Sequence, residues 1–82
     1  MASVEERMKK VVAEIFHVPP SKLSRKTDFV GDLHAKSVDI VELIAGVEEE
    51  FGFPVIPGQV MANKTVGEAI DWATKKLKEQ KG

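Results

Sequence analysis

Asp32-Leu33-His34-Ala35-Lys36-Ser37-Val38-Asp39-Ile40-Val41-Glu42-Leu43-Ile44-Ala45-Gly46-Val47-Glu48-Glu49-Glu50-Phe51-Gly52 is the stretch on which the fold turns. At about 100° per residue, Ile40, Leu43, Ile44, Val47 and Phe51 fall within one arc about 100° wide, which predicts an amphipathic helix from about Ser37 to Phe51. Val38, Val41, Glu42, Ala45, Glu48 and Glu49 share the opposite arc, a face of carboxylates interspersed with small apolar side chains. Gly46 lies mid-helix at a cost of about 1 kcal/mol relative to alanine. It reads as a close-packing point, as room for a ligand, or as a tolerated residue.

Working outward, Ser3 with Glu6 forms a capping box that predicts a helix from Val4. Val4, Met8, Val11, Val12 and Ile15 recur at helical spacing, and Arg7, Lys9, Lys10 and Glu14 fill the other face. Pro19-Pro20 stops this helix. Residues 17–36 are then a long loop, pinned by Val18, Leu23, Phe29, Val30 and Leu33; a loop of that length in a small domain is often functional. Gly52, Pro54, Pro57 and Gly58 mark a second irregular connection, in which residues 59–62 form at most one helical turn. Thr65 with Glu68 is another capping box, opening a helix with Val66, Ala69, Ile70, Ala73 and Leu77 on its inner face. Trp72 reads as a packing anchor, and Lys75, Lys76, Lys78 and Lys81 suit the negative end of that helix dipole. The expectation is an all-α fold: a small four-helix bundle of three long helices and one short third helix, with no strand. The 82 residues are expected to make a single domain spanning 1–82.

Composition narrows the function classes. The chain is 43% hydrophobic and 30% charged, ordinary for a globular protein. Its apolar runs are too short for membrane insertion, and residues 1–6 lack the basic-then-apolar layout of a secretory signal, so a cytoplasmic location is expected. No cysteine is present, which excludes disulfides and thiolate metal sites; any thioester chemistry must use a sulfur the chain does not encode. Residues 37–50 carry five acids and no base, whereas the rest carries eight acids and twelve bases. Net negative charge concentrated on one segment reads as a docking surface. The bases are scattered over both ends and a loop without a recognition helix, so no nucleic-acid partner is expected.

Ser37 is the chemically distinctive residue. It offers a hydroxyl in an exposed position at the positive end of a helix dipole, which suits attachment of a phosphate-linked prosthetic group. No base stands at a predictable distance, so a Ser-His-Asp arrangement is not formed, and neither catalytic residues nor metal ligands are assigned. His34 reads as a loop residue with no assigned task; a switch or a phosphate contact is the alternative.

The whole pattern resembles the acyl carrier proteins of bacterial fatty acid synthesis, over nearly the full length. Phe29-Val30-Gly31-Asp32-Leu33 resembles that family's approach to its modified serine. Asp32-Leu33-x-Ala35-x-Ser37-x-Asp39, Val41-Glu42-Leu43 and Glu48-Glu49-Glu50-Phe51-Gly52 resemble its second-helix signature, and Thr65-Val66-Gly67-Glu68-Ala69 the opening of its last helix. The resemblance implies that Ser37 carries 4'-phosphopantetheine as a phosphodiester derived from coenzyme A, with acyl cargo held as a thioester on the arm. It implies an acyl pocket between the second and third helices, lined by Phe29, Ile44, Val47, Phe51 and Ile70. It also implies a monomer whose partners are a phosphopantetheinyl transferase and acyl-transferring or acyl-modifying enzymes, met by Lys36, Val38, Val41, Glu42, Ala45, Glu48 and Glu49.

The chain departs from the family pattern at defined places. Lys36-Ser37-Val38 replaces aspartate-serine-leucine, and His34 replaces a glycine. Ala45 stands where the family has a methionine, and Pro57–Lys64 replaces an acidic third helix. Reversed charge beside the serine implies a specialised carrier with restricted partners, in fatty acid, lipid or polyketide-type synthesis. Two alternatives are an unmodified helical interaction module and a peptidyl or aryl carrier. The latter places Gly-Gly-His/Asp-Ser at its site, whereas His34 lies three residues before Ser37.

Overall fold

The computed structural model describes residues 2–81, with side chains through residue 79; the side chain of Lys81, expected among the closing cations, lies outside them. Four helices follow one another: α1 (Val4–Phe16), α2 (Ser37–Phe51), α3 (Pro57–Met61) and α4 (Val66–Lys81), with a 3₁₀ turn at Pro20–Lys22. Among the described residues the only extended pairing is an isolated antiparallel bridge between Asp28 and Thr65. The chain is an all-α bundle in which α1 packs on both α2 and α4, and α3 packs on α2.

Local chemistry accounts for the helix ends. The Ser3 hydroxyl accepts the Glu6 N–H at 3.1 Å at the start of α1. His17 ends α1 in the left-handed region, φ 57°, with its N–H on the Ala13 carbonyl. Gly52 ends α2 with φ 75°, a value a glycine adopts without steric cost. At α4 the Thr65 hydroxyl accepts the Glu68 N–H at 3.2 Å, and the Glu68 carboxylate accepts from Lys64 N–H at 2.9 Å. The expected box therefore forms, its return arm reaching one residue further back.

The core contains no buried polar residue among those described. It takes Met8, Val11 and Val12 from α1, Leu43, Val47 and Phe51 from α2, and Val66, Ala69, Ile70 and Ala73 from α4. Phe53 and Val55, in the irregular connection after α2, are also buried, a contribution that helical periodicity does not reveal. Phe53 stacks on Phe51 at 5.9 Å and meets Trp72 edge-on at 5.6 Å, so the indole is the packing anchor its sequence setting suggests. Val30 corrects the reading of the long loop: it is 70% exposed and pins nothing. The turn at residues 28–31 directs it outward, while Leu23 and Phe29 anchor the loop in the core.

Two glycines are packing requirements. A Cβ on Gly46 would stand 3.0 Å from Val11 Cγ1, so this residue allows α1 and α2 to approach closely. A Cβ on Gly67 would stand 2.7 Å from the Arg25 carbonyl oxygen, to which Gly67 N–H donates at 3.0 Å. That contact belongs to a backbone seam in which Val66 N–H donates to Thr27 and Phe29 N–H to Lys64. Asp71 accepts from Arg25 Nη2 at 2.8 Å, and this hydrogen bond holds the guanidinium above its usual pKa range.

Gly67→Ala is expected to destabilise the fold by about 1–3 kcal/mol, because the methyl group must push the loop from α4. Helix propensity alone would give the opposite sign, by about 1 kcal/mol. Denaturant unfolding of the two proteins distinguishes the outcomes.

Candidate functional site

The approach to Ser37 is built around Asp28. Its Oδ1 accepts the N–H groups of Val30 and Gly31, both at 3.0 Å, and its carbonyl accepts those of Asp32 and Leu33. The Asp32 carboxylate returns a bond by accepting Asp28 N–H at 2.8 Å. Next, His34 takes φ 55° and its N–H reaches the Val30 carbonyl. This is the left-handed conformation that glycine prefers and that costs other residues about 1–2 kcal/mol. Ala35 N–H then bonds to Phe29 O at 2.9 Å, leaving Lys36 extended as the N-cap of α2.

A lysine side chain has no acceptor with which to cap a helix. Only one arm of a capping box forms: Lys36 N–H donates to Asp39 Oδ2 at 2.9 Å. The first-turn N–H groups of Ser37, Val38 and Asp39 have no protein acceptor among the described residues. Ser37 itself is exposed at the first position of α2. An exposed hydroxyl beside unpaired helix-end donors fits a phosphate ester, because such donors and the dipole both favour an anion. Lys36 is also exposed and has no carboxylate within ion-pairing distance among the described residues.

A groove of about 440 Å³ opens between α2, α3 and the Asp28 turn. Phe29, Ile40, Leu43 and Val60 line it, with the exposed Val30 and Met61 at its sides. Ile40 lies three residues after Ser37, so the groove reaches α2 about one turn from the serine. Beneath it is a small void lined by Phe29, Leu43, Val47, Val60 and Trp72 among others. Of the residues expected to form an acyl pocket, Phe29 lines both spaces and Val47 the inner one. Ile44, Phe51 and Ile70 line neither. Phe51 sits at the far end of α2, under the Arg7 guanidinium at 4.6 Å from its ring centroid.

The outer face of α2 is where the periodicity places it: Val38, Val41, Glu42, Ala45, Glu48 and Glu49 are all exposed. Its acidity is partly committed to the fold. Glu48 Oε2 accepts Val55 N–H at 2.9 Å, Glu50 pairs with Arg7 at 2.8 Å, and Asp39 closes on Lys36. Glu42 and Glu49 are the two acids of the run without a bonded partner among the described residues. Val30 and Met61 are further exposed apolar side chains, at the sides of the groove and outside the expected docking face. Exposed apolar side chains in a loop and a one-turn helix carry no periodic signal by which a sequence could assign them.

No group of three or more potential metal ligands is assembled among the described residues. No described helix is long and apolar enough to cross a membrane. A family model described as "Phosphopantetheine attachment site" matches residues 6–73. The match includes α2, the approach loop, α3 and the first half of α4. That family attaches 4'-phosphopantetheine covalently.

His34→Gly is expected to raise stability by about 0.5–1 kcal/mol, since relief of left-handed strain exceeds the added chain entropy of glycine. Chemical denaturation provides the measurement, and a lowered midpoint would mean the imidazole makes a compensating contact.

Proposed function

We propose, on the premise that this chain belongs to the phosphopantetheine-attachment family, that Ser37 is the point at which the arm is joined. The observation that carries this reading is the exposed Ser37 hydroxyl at the uncapped start of α2, one helical turn from an apolar groove. The chain then serves as an acyl carrier rather than an enzyme. When bound, the arm supplies the thiol on which acyl cargo is held as a thioester, a group that this cysteine-free sequence does not encode.

The chain's own residues divide three tasks. Ser37 supplies the oxygen for the phosphodiester. Phe29, Ile40, Leu43, Val60 and Met61 offer apolar surface to an acyl chain, with the inner wall completed by Val47; each methylene removed from water contributes about 0.8 kcal/mol. Val38, Val41, Glu42, Ala45, Glu48 and Glu49 present a mixed apolar and acidic face to a phosphopantetheinyl transferase and to acyl-handling enzymes. Exposed contacts of this kind are individually weak, on the order of 0–1 kcal/mol, and salt-sensitive, which suits repeated exchange between partners.

Lys36 sets this carrier apart. It places a cation beside the modified hydroxyl, where the resembling family has a carboxylate, and so favours partners that do not require an acid at that point. The role is a specialised carrier in fatty acid, lipid or polyketide-type synthesis, working in the cytoplasm as a monomer.

Co-expression with a phosphopantetheinyl transferase is expected to add the mass of one arm to wild type and nothing to Ser37→Ala, read by intact-mass spectrometry. A persistently unmodified wild type would favour the unmodified interaction module. Lys36→Asp is expected to raise the modification rate about 5- to 30-fold with a transferase that reads acidic surfaces, corresponding to about 1–2 kcal/mol of charge reversal. Raising salt is expected to slow modification of both proteins; salt-independent rates would remove the electrostatic part of the proposal.

A further inference from the structure

The charges on α2 oppose its own dipole. Lys36 stands at the positive end, and Glu48, Glu49 and Glu50 crowd the negative end. The negative end is compensated within the protein. Arg7 Nη2 donates to the Glu50 carbonyl at 2.6 Å and Arg7 Nε to its carboxylate at 2.8 Å, while Gly52 closes the backbone. The positive end has no such device. Asp39 is the only acid in the first turn, and its carboxylate accepts the Lys36 N–H rather than an N–H of the helix itself. Three first-turn donors and the Lys36 ammonium are therefore left without an anionic or side-chain acceptor among the described residues.

Granted Ser37 as the attachment point, we infer that the phosphodiester on Ser37 is the missing N-terminal cap of α2, held by the Lys36 ammonium and the free first-turn amides. A helix start normally takes an oxygen from Ser, Thr, Asp or Asn at the N-cap. Here the sequence places a cation at that position and the modifiable hydroxyl immediately after it. An anion joined to Ser37 would satisfy donors that no protein group satisfies and would oppose the Lys36 charge. Lysine suits the task, since a compact charge on a flexible stem can follow an anion that is covalently fixed nearby. The bare protein thus keeps a helix start without a side-chain cap, which modification supplies, and Lys36 changes from an unfavourable residue to a favourable one when the arm is added.

That sign reversal is the signature to measure. Purified protein is converted with coenzyme A and a transferase, conversion is verified by intact mass, and melting temperatures of bare and modified forms are compared for wild type, Lys36→Gln and Lys36→Arg. Modification is expected to raise the wild-type melting temperature by roughly 4–8 °C at low salt, the shift that one ordinary cap produces in a domain of this size. Lys36→Gln is expected to leave the bare form as stable or more stable, yet to lose about half of the gain; Lys36→Arg is expected to retain it. In phosphorus NMR, the resonance of the modified protein is expected to move on Lys36→Gln and with added salt. Fully converted wild type that melts with the bare form would overturn the inference, as would an equal gain in Lys36→Gln. A mass that never changes would instead remove Ser37 as the attachment point, so the two failures are distinct.

Discussion

A short backbone seam between the long loop and the start of α4 governs the geometry of everything near Ser37. Val66 and Gly67 donate to the carbonyls of Thr27 and Arg25, and Phe29 donates back to Lys64. Gly67 must lack a side chain for this approach, since even a methyl group would meet the Arg25 oxygen. The seam fixes Phe29 in the core and beside the groove, and it fixes Asp28, whose carboxylate and carbonyl organise the next five residues. A twenty-residue connection is thereby made into a scaffold. Its backbone polar groups are used locally, as the cost of leaving them unpaired requires.

The two ends of α2 are built to different standards. The C-terminal end is held by Arg7, by the Phe51–Phe53–Trp72 aromatic contacts and by the bond from Val55 to Glu48. The N-terminal end has one hydrogen bond from Lys36 and an exposed serine. Rigid anchoring at one end and unsatisfied donors at the other concentrate chemical capacity where the hydroxyl is. The groove opens at that same end, against Ile40 and Leu43, so the Ser37 hydroxyl and the apolar surface share a neighbourhood without sharing residues.

Structural duties also reduce the charge that α2 can present. Five acids in fourteen residues look like a uniform docking surface, but Asp39, Glu48 and Glu50 each bond within the fold. Their charges still contribute to the field, while Glu42 and Glu49 are the ones free to reorient towards a partner. Val38 and Val41, both more than half exposed, stand among those acids on the same face. Apolar side chains therefore share this face with the acids, and apolar surface carries more of any contact than exposed ion pairs do.

The sequence by itself determined the helices, the buried and exposed faces of α2, and the position of Ser37 at its first residue. Each follows from information held within a few residues: periodicity, capping side chains, and proline or glycine at the breaks. Local pattern also recorded the likeness to a carrier family, and with it the covalent group. It did not determine that Val30 turns outward, that Phe53 and Val55 complete the core, or that Ile44, Phe51 and Ile70 stand away from the groove. Those outcomes depend on which surfaces meet across the bundle, because an inward-facing residue lines a cavity only where its opposite number leaves space. Nor did it determine which carboxylates are free, since the partners of Glu48 and Glu50 come from a connection and another helix. Tertiary structure decided those matters by bringing together groups far apart along the chain, as Arg7 and Glu50 show.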